Sequence, residues 1–242
     1  DPNIQNHYRA LLESTCTRVV RVDTRDETGG FLKTRLAKVL ELLETIGDAY
    51  WTDQYRNPSA MTAHHELTAG EIIASFPALD YVFVGVSTAG TIAGVSRRLK
   101  AHFPDVRIVA VDAEGSAIFG QTPRCRYIPG IGSSIVPDLL RHALIDDTVH
   151  VRELDTIAAC HDLVREHQIL AGGSSGSSFA AIQSYAFREA RPTVLFLCAD
   201  RGTAYMDTVY DESWVAWRRE QEEASPAPRS RTFPVAARAE PS

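Results

Sequence analysis

Tyr81-Val82-Phe83-Val84-Gly85-Val86-Ser87-Thr88-Ala89-Gly90-Thr91 is the stretch on which the reading of the fold turns. Its first half is an unbroken apolar run, the pattern of a strand buried on both faces. Its second half is a run of small residues, and a helical pattern opens from Thr91 to His102. Small residues let backbone N–H groups approach an anion closely, and the dipole of the following helix adds favourable potential. The same residues also read as a tight strand-to-helix turn without a ligand, and spacing alone does not separate the two. A P-loop would end in Gly-Lys-Ser/Thr, yet no lysine occurs here before Lys100. A G-x-G-x-x-G dinucleotide fingerprint is broken by Ser87. Asp112 does end the next strand about where a ribose-binding acid would stand, which makes a dinucleotide site the first rival.

Outward from this stretch, strand and helix signals alternate. Val106–Asp112 and Thr148–Val151 read as strands and Asp155–His167 as a helix with Asp155 at its N-cap. Gly172–Ser178 is a glycine-serine turn opening a helix to Glu189, and Thr193–Ala199 is a last buried strand. Upstream, Tyr8–Thr15 reads as a helix, Arg18–Asp23 as a short strand, Phe31–Glu44 as a helix, Trp51–His65 as polar loop and Glu66–Phe76 as a helix. The expected fold class is α/β: an open, mostly parallel twisted sheet with helices on both faces. Parallel strands would bring the two small-residue turns to one rim of the sheet, where such folds bind ligands. The second turn also reads as a helix cap supplied by Ser174 or Ser177. Asp200–Tyr205 lies on the same rim, directly after the last strand.

The 242 residues carry a net charge of −6, which disfavours a nucleic-acid binder. No apolar run reaches the ~20 residues of a membrane span, and no signal-peptide pattern opens the sequence. The expected location is the cytoplasm, with Cys16, Cys125, Cys160 and Cys198 as reduced and mostly buried thiols. No spacing of His or Cys suits a metal; His64 and His65 are adjacent, diverge on a helix, and read as surface residues. After Arg219 the composition turns to Glu, Ala, Ser, Pro and Arg, so residues 219–242 read as a disordered tail. The organisation expected is a remnant of a small domain (1–45), a large ligand-binding domain (46–218) and that tail. Asp1-Pro2-Asn3 leads straight into a helix with no preceding strand, and an N-terminal part is expected to be missing.

Four segments carry a resemblance that spans nearly the whole folded chain. They are GVSTAGTIAGVSRRLK (Gly85–Lys100), RYIPGIGSSIVPDLL (Arg126–Leu140), LAGGSSGSS (Leu170–Ser178) and FLCADRGTAYMDT (Phe196–Thr208). In order and spacing they resemble the cysteine synthase and cystathionine β-synthase family of fold-type-II pyridoxal-phosphate enzymes. GGFLKTR, WTDQYRNP, VDAEGSAIFG and DESWV resemble one branch, the N-(2-amino-2-carboxyethyl)-L-glutamate synthases of 2,3-diaminopropionate biosynthesis, which serves siderophores and peptide antibiotics. The resemblance implies pyridoxal 5'-phosphate as cofactor, amino acids as substrates and a homodimer. It implies that Ser87, Thr88, Ala89, Gly90 and Thr91 cradle the cofactor phosphate and that Ser174 meets the ring nitrogen. Ser87, where the family usually has Gly, is then a specificity residue or a tolerated loop substitution. Tyr55 and Arg35 are candidates for substrate carboxylate or phosphate. The Schiff-base lysine of the family belongs upstream of Asp1; Lys33 imitates its motif but reads as a solvated side chain. The implied reaction joins O-phospho-L-serine and L-glutamate by β-replacement. The alternatives are cysteine or cystathionine formation, or an inactive cofactor-binding relative.

Overall fold

Tyr81 and Phe83 point to one side of their strand, Val82 and Val84 to the other, and none is more than 1% exposed. A strand apolar on both faces needs a layer on each side. The computed structural model describes residues 2, 4 and 6–224, and it supplies those layers. In chain order come α1 (Asn6–Thr15), α2 (Leu32–Thr45), α3 (Pro58–Ala63), a π-helical turn (His64–Thr68) and α4 (Ala69–Ser75). The alternating part follows: β1 (Tyr81–Gly85), α5 (Gly90–His102), β2 (Arg107–Ala113), β3 (Asp147–Val151), α6 (Glu153–His167), α7 (Gly173–Ser184), β4 (Val194–Phe196) and α8 (Glu212–Ala224).

The sheet has the order β3-β2-β1-β4, and all its pairings are parallel. Val82, Val84, Ile108 and Ala110 pack with Ile92, Val95 and Leu99 of α5. Tyr81, Phe83, Val109 and Val111 pack with Ala180 and Ala181 of α7 on the opposite face. Each large apolar side chain buried this way contributes about 1.5–3 kcal/mol. From β1 the chain moves to β2 and β3 on one side, and β4 lies on the other. The carboxyl ends of β1 and β4 therefore form a topological switch point, where open α/β sheets leave a crevice.

Several elements differ from their sequence reading. Arg18–Asp23 forms no regular element and pairs with no strand among the described residues, and most of it is exposed. The polar stretch Trp51–His65 contains α3, whose start follows a simple rule: Asn57 accepts the amide of Ser59 at 2.9 Å and Pro58 fills the first helical position. Asp155 is not an N-cap. The helix opens at Glu153, and Asp155 binds the Arg152 guanidinium instead (2.8 Å). α7 stops at Ser184, and β4 spans only three residues, paired on one side with β1. α8 runs past Arg219 to Ala224 because Arg218 is buried on Glu153 and Val215 packs inward, so the expected tail boundary falls inside a helix. Residues 225–242 lie outside the described residues. Three of the four cysteines are exposed and only Cys160 is buried, contrary to expectation. No helix among the described residues is long and apolar enough to cross a membrane.

The close seat of α5 fixes the start of the loop that precedes it. A Cβ on Gly94 would overlap the Met61 carbonyl and lie 2.6 Å from the His65 nitrogen. Gly94→Ala should therefore cost about 2–3 kcal/mol in urea unfolding. Gly47→Ala, where nothing lies within 4 Å, should change stability by less than about 1 kcal/mol.

Candidate active site

β4 ends at Phe196, opposite Phe83, while β1 continues to Gly85. Past that point Leu197 and Ala199 lie across a cavity of about 180 Å³ from Val84 and Gly85. Ser87, Thr88, Ala89 and Thr91 line the same cavity from the loop after β1, and Gly130 and Ser174 close it. The crevice of the topology and the small-residue loops of the sequence thus coincide.

The loop is built to receive an anion. Among the described residues, none of the backbone amides from Ser87 to Ile92 donates to a protein acceptor; the intrahelical ladder begins with Ala93 donating to the Ala89 carbonyl at 3.0 Å. Buried amides are normally paired, so a run of free ones at a helix N-terminus marks an anion cradle. Ala89 adopts φ 65°, ψ 2°, a left-handed conformation that turns successive amides to one side. The Thr91 hydroxyl is held by Nε2 of His64 (3.0 Å), whose Nδ1 meets Thr68 (2.9 Å). His64 is thus half-buried beneath the loop, not a surface residue, and burial holds its pKa below the ordinary histidine value. The widened π turn carries it there, pressed against Gly94. Gly90 of the expected set begins α5, with Ala60 packed 2.9 Å from where its Cβ would be.

The second turn meets the first. A Cβ on Gly85 would lie 3.8 Å from Ser174 Cβ, and one on Gly130 3.9 Å from Ser174 Oγ. The N-cap position is Gly172 with no side-chain cap, so neither Ser174 nor Ser177 caps the helix. Ser177 and Ser178 turn their hydroxyls back to the Gly173 and Ser174 carbonyls (3.2 and 3.1 Å). Ser174, by contrast, reaches the cavity with no protein partner for its hydroxyl among the described residues. The segment Asp200–Tyr205 braces this turn: the Gly172 amide donates to the Asp200 carbonyl (3.0 Å), and Tyr205 donates to the Asp200 carboxylate (2.7 Å).

Ser87 donates to the Gly132 carbonyl at 3.2 Å. Tyr55 is half-buried within electrostatic reach of Arg126 and does not line the cavity. Arg35 is exposed on α2 and lies outside it. All three lysines are ion-paired elsewhere: Lys33 with Glu27, Lys38 with Glu41 and Lys100 with Asp146. The hydrogen bond from Lys33 to Glu27 raises the Lys33 pKa, the opposite of what a nucleophilic amine needs. Local sequence rules do not single out Gly130, Leu197 and Ala199 as cavity residues; the strand pattern of Thr193–Ala199 conceals that its last residues leave the sheet.

Residues 3–199 match the sequence model described as "pyridoxal-phosphate dependent enzyme". The chain belongs to that family. Its cofactor is pyridoxal 5'-phosphate, and the residues present fit it: six free amides for the phosphate and the Ser174 hydroxyl lining the same cavity, none with a protein partner among the described residues. Among solved structures of the family's kind, the chain is similar to an O-acetylserine-dependent cystathionine β-synthase from Helicobacter pylori (27% identity, TM-score 0.74, covering 84% of this chain and 66% of that one). It is also similar to a lysine-to-alanine mutant of O-ureido-L-serine synthase bound to O-ureido-L-serine (31% identity, TM-score 0.69, 78% and 62%). A hydrogen sulfide-producing enzyme from Fusobacterium nucleatum matches at 25% identity with TM-score 0.74, covering 82% and 67%. The chain thus spans just under two thirds of the length of the first two.

The dinucleotide rival fails at Asp112. That carboxyl is fully buried on β2, 4.0 Å from His150 Nε2 of β3, and does not line the cavity. Burial pushes its pKa up to about 7, against hydrogen bonds from Ser116 and Ala113 that pull it down. An acid raised in the fold contributes stability fully present below its unfolded value of 3.8 and lost as pH rises towards 7. Asp112→Asn should therefore stabilise the protein by about 2–4 kcal/mol at pH 8 and by almost nothing at pH 3.5, measured by urea unfolding at the two pH values.

Proposed function

We propose that the complete enzyme catalyses β-replacement on a serine derivative, joining O-phospho-L-serine and L-glutamate to give N-(2-amino-2-carboxyethyl)-L-glutamate and phosphate. The observation that carries the β-replacement is the pairing of an anion cradle with a neutral hydroxyl, Ser174, across one cavity. Bound pyridoxal phosphate supplies the electron-withdrawing ring that makes Cβ of the serine derivative exchangeable. The amides of Ser87–Ile92 and the hydroxyls of Thr88 and Thr91 would hold its phosphate, and His64 keeps Thr91 in place. Ser174 would hydrogen-bond the ring nitrogen. A hydroxyl there, unlike a carboxylate, leaves the nitrogen largely unprotonated, which weakens the electron sink and favours β-chemistry over transamination.

In the net reaction a C–N bond forms between the glutamate amine and Cβ as the C–O bond to phosphate breaks; the amine's proton leaves with the products. The protein's part is orientation and exclusion of water. Ser87 places a hydroxyl at the rim of the cavity, where it can turn from the Gly132 carbonyl to the substrate. Tyr55 takes a substrate carboxylate from the outer side. Arg35 serves the substrate only if α2 closes over the rim. The choice of phosphoserine and glutamate rests on the branch segments of the sequence. Serine derivatives in the names of two of the similar structures support the broader class. Cysteine or cystathionine formation is the competing reading, favoured by the names of the cystathionine synthase and the sulfide-producing enzyme.

The full-length protein, incubated with cofactor, phosphoserine and glutamate, should release one phosphate per molecule of product, with the product identified by mass. Acetylserine with sulfide should yield cysteine far more slowly. Rapid cysteine formation without the glutamate adduct would replace this reading with the competing one.

A further inference from the structure

A second cavity has a volume of about 460 Å³, within the ~300–1,000 Å³ of small-molecule sites. It is bounded by the loop Pro123–Tyr127, the start of α6 and the end of α8, with Thr28 at its rim. Four arginines line it, Arg124, Arg126, Arg152 and Arg218, against the carboxylates of Glu114, Glu153 and Glu222. Two of the four are taken. Arg218 is locked on Glu153 (2.9 Å) and Glu222 (3.5 Å), while Arg152 is held by Asp155 (2.8 Å) and Glu222 (3.7 Å). Glu153 is saturated further, its other oxygen accepting the Ile128 amide at 2.8 Å. Glu114 lies within electrostatic reach of Arg152.

Arg126 and Arg124 form no ion pair among the described residues. Among the described residues Arg126 donates to backbone carbonyls alone, those of Gly115 and of Arg124 (3.3 Å). It is largely buried, and that burial lowers its pKa, the mark of a cation short of counter-charge. The carboxyl groups that act on it include Asp112, itself raised to about 7, and Glu153, already bound to Arg218. Its side chain packs on the segment to which Ser87 bonds. Arg126 Nε lies 3.0 Å from where a Cβ on Gly132 would be, and Gly132 is the residue whose carbonyl accepts the Ser87 hydroxyl. Tyr55 is within its electrostatic reach. A single glycine thus separates a guanidinium with no ion-pair partner among the described residues from Ser87, at the rim of the reaction cavity.

We propose that Arg126, with Arg124 at the rim, forms the subsite that binds the side-chain carboxylate of the acidic amino-acid nucleophile and so selects it over amino acids with neutral side chains. This rests on the reading of glutamate as second substrate and adds the residues that would recognise it. Arg126 here is a specificity residue: guanidinium groups bind carboxylates through paired N–H donors, and a neutral competitor leaves those donors unmet.

The full-length holoenzyme and its Arg126→Gln, Arg126→Lys and Arg124→Gln variants can be compared by steady-state kinetics and by calorimetric titration with L-glutamate and L-glutamine in the absence of phosphoserine. Arg126→Gln should raise the glutamate KM by about tenfold or more, leave the phosphoserine KM within about twofold, and abolish calorimetric glutamate binding. Arg126→Lys should recover part of the loss, and Arg124→Gln should give a smaller rise of the same kind. L-glutamine should not bind the wild type. If Arg126→Gln does not fold, Arg126→Lys and Arg124→Gln decide by the same two readouts. A folded variant with unchanged glutamate KM and binding would overturn the subsite, as would glutamine binding as well as glutamate. Wild-type failure to form the adduct, with glutamate binding intact and lost in Arg126→Gln, would instead count against glutamate as substrate and leave the carboxylate subsite standing.

Discussion

Six backbone amides from Ser87 to Ile92, with no protein acceptor among the described residues, set the terms for the rest of the structure. Left dry, each would cost about 1–3 kcal/mol. They persist because the elements around them are over-determined. β1 is paired on both sides and buried on both faces, so the point where the chain leaves the sheet is fixed. α5 is pressed so closely on the segment before it that Gly90 and Gly94 tolerate no side chain without a shift. Ala89 takes a left-handed conformation between the two. An anion such as the cofactor phosphate would meet these amides, and the rigidity of β1 and α5 keeps the loop open for it.

The opposite wall follows from what β4 lacks. Three residues of pairing hold it to β1, and the departure of Leu197–Ala199 leaves the gap that the cavity occupies. Asp200, Tyr205 and Tyr210 then tie the departing chain to the turn at Ala171–Gly172, with Tyr210 donating to the Ala171 carbonyl at 2.6 Å. This bracing sets Ser174 on the first turn of α7. Its neighbouring serines either bond backward along the helix or, like Ser175, are buried away from the cavity. Four serines in close succession therefore differ in role because helical geometry aims only one of them outward.

The parallel α/β architecture and both loops are legible in the sequence because they rest on local rules: apolar runs for buried strands, small residues where backbones approach. Features that depend on distant contacts are not. His64 looks like a surface histidine until the π turn and Gly94 bring it under Thr91. Arg18–Asp23 has the composition of a strand but, among the described residues, no neighbour to complete it. The length of β4 is set by its partner, not by its own apolar residues. The start of α3 is written in Asn57-Pro58, a cap followed by a proline at the first helical position, but the polar surroundings mask it. The resemblance places Ser174 in the site, yet only the geometry separates it from Ser177. Nothing in the sequence marks Arg126 as a guanidinium without an ion-pair partner, because its neighbours in the chain, Arg124 and Cys125, do not reveal which acids already have partners.

Titration of the isotopically labelled full-length protein with pyridoxal 5'-phosphate, followed by the backbone amide resonances, puts the anion cradle to the test. The amide protons of Ser87 to Ile92 should move downfield together as they gain a charged acceptor, and pyridoxal without its phosphate should leave them in place. Saturation of the protein with those six resonances unmoved, or an equal response to both compounds, would contradict the assignment of the loop after β1 as the phosphate site.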